Sequence, residues 1–158
     1  EVSLGMPFAE LLEMAGGKLS KTDFQKLIFL SKEESSFSYY DFVPYQFGCY
    51  SFQAQSDIEL LEKKGWLESK PKSIKLVVSP GECLDEEEID AVECFINKFK
   101  SIRGKKLITY VYEQYPYYAT RSEIASDILN NESYEQVRKE RKKFGLKKAR
   151  KAPQWSKR

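Results

Sequence analysis

The chain has 158 residues, with 26 Lys+Arg against 24 Asp+Glu for a formal net charge of +2, a length that provides for one ordinary domain plus an appendage. It contains no histidine, which excludes Ser-His-Asp and Cys-His catalysis, HExxH zinc chemistry and every zinc site built on imidazole. Its three cysteines, Cys49, Cys83 and Cys94, fit neither a CxxC redox motif nor a zinc-ligand pair, so they are expected to be reduced thiols in a cytoplasmic protein.

In chain order, Met6 to Ala15 places Phe8, Leu11, Leu12 and Ala15 at helical spacing, and Gly16-Gly17 closes that helix. A second helix starts from a cap at Ser20 or Thr22 and runs through Phe24, Leu27, Ile28 and Ser31, mostly as core. Ser35 to Phe52 holds eight aromatic residues interrupted by Pro44 and Gly48, which reads as a structured loop rather than a regular element. A loop cannot bury all of them without orphaning its backbone groups, so part of the set is expected to form an exposed docking surface. Tyr45, Phe47 and Tyr50, with Gln53 and Gln55 from the following helix, are the candidates for it.

From Ser51 the pattern is helical again, with Ala54, Ile58 and Leu61 on one face and Gly65 as the stop. Trp66 to Ser69 and Ile74 to Val78 then read as two short strands of a hairpin. Three helices followed by a hairpin is the order of a winged helix, so the expected fold class is mainly α (α+β), winged-helix-like, followed by a C-terminal helical part. Asp85 as N-cap with Glu88 three residues on opens a helix reaching about Ile102, and this gives the acids from Asp85 to Glu93 a capping role instead of a metal-binding one. Lys105 to Gln114 forms the next helix, Thr120 with Glu123 is a second capping box for Arg121 to Leu129, and Ser133 with Gln136 starts the last helix, Tyr134 to Phe144. The expected domains are a core over 1–80, a helical extension over 81–133 and a basic helix or arm over 134–158. Glu1 in place of an initiator Met is what a fragment of a longer chain would show.

Charge is divided unevenly between these parts. Residues 135–158 hold 11 Lys+Arg and two Glu, while the remainder holds 15 Lys+Arg and 22 Asp+Glu, so a +9 arm is attached to a −7 body. The commonest partners of such an arm are nucleic acid, an anionic surface or the acidic body itself. Arg138, Lys139, Arg141, Lys142, Lys143, Lys147, Lys148 and Arg150 are its candidate nucleic-acid contacts, joined by Lys70, Lys72 and Lys75 of the hairpin. The third helix is a poor recognition element by comparison, because residues 51–64 carry Asp57, Glu59 and Glu62 against Lys63 and Lys64. No run approaches 18 apolar residues, and Glu10 and Glu13 interrupt the N-terminal segment, so neither a membrane span nor a signal peptide is expected. Nothing in the sequence marks a catalytic centre, a cofactor or a metal site.

The run Gly16-Gly17-Lys18-Leu19-Ser20-Lys21-Thr22-Asp23-Phe24-Gln25-Lys26-Leu27-Ile28-Phe29-Leu30 is followed by Tyr40-Asp41-Phe42-Val43-Pro44-Tyr45-Gln46-Phe47-Gly48-Cys49-Tyr50-Ser51. Together they resemble prokaryotic SocA-like (Panacea) domains, and the resemblance covers residues 8–70 best. It implies a non-catalytic antitoxin or adaptor that docks a toxin or effector protein in a toxin–antitoxin or phage-defence setting. A winged-helix DNA-binding regulatory domain, alone or as part of a larger enzyme, is the competing expectation, and a homodimer is compatible with either.

Overall fold

The computed structural model describes residues 6–35, 40–78 and 84–143, and it is mainly α with short antiparallel sheets. Phe37, Tyr39, Cys83, Lys147, Lys148 and Arg150 lie outside the described residues. Contacts gather the chain into two units, one from residues 1–41 and 51–103, the other from 42–50 and 104–158.

In the first unit, α1 (Met6–Met14) leads into β1 (Lys18–Ser20) and α2 (Lys21–Glu34). Ser20 caps α2, accepting from the Asp23 N–H at 3.0 Å, and Asp23 to Ser31 are all buried. This makes α2 the central helix of the unit. Its polar members must therefore be satisfied internally. Gln25 does this with both ends of its amide: Oε1 accepts from the Ser51 N–H at 2.8 Å and Nε2 donates to the Ser51 carbonyl at 3.2 Å. Ser51 in turn caps α3 (Phe52–Lys63), its hydroxyl accepting from the Ala54 N–H at 3.0 Å. One glutamine thus fixes where the third helix begins.

Ala54, Ile58 and Leu61 are the buried face of α3, as their spacing predicts. Gly65 at φ +79° ends it, a conformation that costs an L-residue about 1–2 kcal/mol. The hairpin of β4 (Leu67–Ser69) and β5 (Ser73–Leu76) follows, and β1 pairs with the free side of β5, giving an antiparallel sheet in the order β1-β5-β4. Three helices and a hairpin therefore occur in the expected order. β1 is an addition, because its partner lies more than fifty residues away and leaves no local signature. The unit closes with α4 (Glu86–Lys98), opened by the Asp85/Glu88 capping box and anchored by Val92, Phe95 and Ile96. It stops short of Ile102.

The second unit corrects the sequence reading in three places. The aromatic stretch contains regular structure: β2 (Val43–Tyr45) and β3 (Gly48–Tyr50) form an antiparallel hairpin. α5 (Lys105–Gln114) has the predicted bounds, but Thr120 is not the N-cap of a following helix. Its hydroxyl donates back to the Tyr117 carbonyl at 2.7 Å in the 3-10 turn Pro116–Ala119, and the Glu123 N–H is taken by the Gln46 carbonyl at 2.9 Å. The helix after it is only α6 (Ala125–Ile128). The last helix, α7 (Asn131–Lys143), begins earlier than Ser133 because the Asn130 side chain accepts from the Ser133 N–H at 2.8 Å and is the cap. Cys49, Leu107, Val111, Tyr112, Ala119, Ala125 and Val137 form the core of this unit. Within it the Tyr112 hydroxyl donates to Ser122 Oγ at 2.6 Å.

Candidate nucleic-acid interface

The basic helix α7 is held by one stripe. Tyr134, Val137 and Arg141 recur at i, i+3 and i+7, and Val137 is fully buried. Arg141 lies against the unit beneath it: Nε donates to the Thr120 carbonyl at 2.8 Å, Nη1 donates to the Tyr134 hydroxyl at 3.2 Å, and the guanidinium sits 5.9 Å from the Tyr134 ring centroid. Arg141 was a candidate phosphate contact from composition alone. The structure gives its donors to the fold. The signal was the helical period, which places Arg141 one turn beyond Val137.

Fixing that stripe turns the opposite face outward. Arg138, Lys139, Lys142 and Lys143 are all exposed, and they recur on one side at i, i+1, i+4 and i+5. Glu135 approaches Arg138 Nε at 4.0 Å, an exposed pair that screens little of the cationic surface. Basic residues in the last turn also suit the negative end of the helix dipole.

Lys70 and Lys72 are exposed in the β4–β5 turn, and Lys75 is exposed within β5. Strand pairing adds a residue that sequence reasoning missed: Lys18 of β1 stands directly opposite Lys75, with Glu68 of β4 on its other side. The wing lysines belong to the first unit and α7 to the second. The docking candidates are likewise divided. Tyr45, Phe47 and Tyr50 belong to the β2–β3 hairpin, whereas Gln53 and Gln55 are on α3. Gln53 accepts from the Asp41 N–H at 3.1 Å and Gln55 reaches Glu59 at 3.4 Å, so both amides make contacts within their own unit.

Among the described residues, no group of three or more His, Cys, Asp or Glu side chains is placed to hold a metal. A groove of about 390 Å³ beside α4 includes Cys94 and Phe95, and the Glu34 carboxylate on its wall is in an ion pair with Lys98 at 2.7 Å. Cys49 is buried and Cys94 exposed. No described helix is long and apolar enough to cross a membrane.

One family model matches this region: ribosomal protein S9/S16, over residues 118–158. The matched segment runs from the 3-10 turn through α6 and α7 to the end of the chain, and so contains the whole basic arm. No curated protein and no solved structure matches the chain. The family match corrects the SocA-like resemblance. The antitoxin or adaptor function, the toxin or effector partner and the phage-defence setting are withdrawn, and so is the DNA-binding regulator. The resemblance rested on the runs Gly16 to Leu30 and Tyr40 to Ser51, and a likeness in fold-bearing segments does not fix a task. The arm carries the more specific signal.

Proposed function

We propose that the chain is a non-catalytic, cytoplasmic protein of ribosomal type that binds ribosomal RNA through its basic segment 134–158. The observation that carries this reading is a coincidence of position: the stretch similar to ribosomal protein S9/S16 is the stretch where the positive charge is concentrated. Phosphate contacts supply most of the salt-dependent affinity of a nucleic-acid-binding protein, and Arg138, Lys139, Lys142 and Lys143 present cations on one face of a helix whose other face is anchored. The −7 body repels the same polyanion, so attraction is strongest at the arm and the protein is oriented as it approaches. The wing cations Lys18, Lys70, Lys72 and Lys75 are proposed as a second, weaker phosphate contact.

The test is sedimentation. The full chain is expected to travel with ribosomal subunits through a sucrose gradient at low salt and to be released as salt rises. A variant carrying Arg138→Gln, Lys139→Gln, Lys142→Gln and Lys143→Gln is expected to be released at lower salt. A wild-type chain that stays at the top of the gradient under all conditions would overturn the reading.

A further inference from the structure

The second unit carries an exposed aromatic face as well as a basic one. In the β2–β3 hairpin, Val43 pairs with Tyr50 and Pro44 with Cys49, so Val43, Tyr45 and Tyr50 share one face while Cys49 is on the other. Cys49 is fully buried, whereas Val43 is 43% exposed, Tyr45 39% and Phe47, at the turn, 45%. The Tyr45 and Tyr50 rings lie 4.8 Å apart at 31°, closer to parallel than to perpendicular. The 3-10 turn Pro116–Ala119, where Tyr117 is 36% exposed, packs against both β2 and α7. The bond from the Glu123 N–H to the Gln46 carbonyl fixes the hairpin turn to the segment that follows. Exposed rings and outward cations thus belong to one compact unit, in which the 3-10 turn contacts both the hairpin and α7.

We propose that this aromatic face stacks the unpaired bases of single-stranded RNA whose phosphates lie along α7. The inference rests on the ribosomal-RNA reading and adds the form of RNA that the surface takes. Charge complementarity decides the occupant. An apolar protein partner would match the rings but not the +9 segment, and a duplex would match the charge but hide its base faces in the stack. An unpaired strand offers both flat apolar faces and phosphates. Phe47 and Tyr45 are the stacking residues, joined by Tyr117 of the 3-10 turn that packs against α7.

The experiment compares the affinity of the full chain for oligouridylate, as the single strand, and for an RNA duplex of the same length. The variants are Phe47→Ala, Tyr45→Ala, Tyr117→Ala, Phe47→Leu and Phe47→Trp, with circular dichroism to confirm folding. Each alanine that removes a stacked base is expected to weaken single-strand binding about 5- to 150-fold and to leave duplex binding unchanged. Phe47→Leu keeps apolar bulk without a π-face and is expected to lose as much as Phe47→Ala, while Phe47→Trp binds at least as tightly as the wild type. Alanine variants that bind both RNAs like the wild type, or that weaken both equally, would overturn the stacking inference and leave the ribosomal-RNA reading standing. A wild-type chain without salt-dependent affinity for either RNA would overturn both.

Discussion

Arg141 and Lys142 are adjacent in sequence and do different things. The Arg141 guanidinium is used on the Thr120 carbonyl and on Tyr134, while Lys142 is exposed. Arg141→Ala is therefore expected to destabilise the second unit by about 1–3 kcal/mol, since it strands a buried carbonyl. Lys142→Gln changes unfolding by less than about 0.5 kcal/mol and acts on RNA affinity alone. Urea unfolding of the two variants checks this. Two tyrosines give a second residue-scale test. Burial, then the hydrogen bond to the Asp57 carboxylate at 2.6 Å and its charge, holds the Tyr40 phenol well above its usual range. Burial likewise raises Tyr112 against the opposing hydrogen bond to Ser122, and the charge of Cys49 adds to the rise. A folded-state pKa above the unfolded value of about 10 stabilises the fold fully below that pH and is lost as pH rises beyond it. Stability is expected to be level with respect to these groups up to about pH 10 and then to fall by as much as about 1.4 kcal/mol per pH unit per tyrosine. Tyr40→Phe and Tyr112→Phe should each remove their part of that alkaline slope.

At the scale of the element, side chains that cap or link backbone segments decide where helices begin. Gln25→Leu keeps the volume of the side chain but leaves the Ser51 N–H and carbonyl without partners, and is expected to cost about 2–4 kcal/mol, read by thermal unfolding. This scale is also where the sequence was most and least legible. Ser20, Ser51, Asp85 and Gly65 act on backbone groups within a few residues, so their positions announce α2, α3, α4 and the end of α3. Thr120 and Glu123 have the same spacing as Asp85 and Glu88, yet the Thr120 hydroxyl turns back to Tyr117 and the Glu123 N–H goes to Gln46. Only the tertiary structure distinguishes the two cases. β1 and the β2–β3 hairpin were hidden for a similar reason: three-residue strands give no readable alternation, and Pro44 discourages a strand assignment. For the candidate site, the concentration of positive charge in the arm was legible in the sequence, whereas the exposed face of α7 and the inward use of Arg141 became visible only in the structure. The kind of polyanion proposed for the arm was not legible, because phosphate contacts require only cations.

At the scale of the whole molecule, an acidic body of −7 carries a basic segment of +9, proposed to bind ribosomal RNA. Salt dependence tests that claim most directly, because only contacts that displace counterions from a nucleic acid give a linear fall of log affinity with log salt. The measurement is the affinity of the full chain for ribosomal RNA at several salt concentrations, repeated with Arg138, Lys139, Lys142 and Lys143 changed to Gln. The account predicts a steep negative slope for the wild type, and one shallower by about one unit for each phosphate contact removed. A wild-type slope near zero, or an unchanged slope in the neutralised protein, would contradict it.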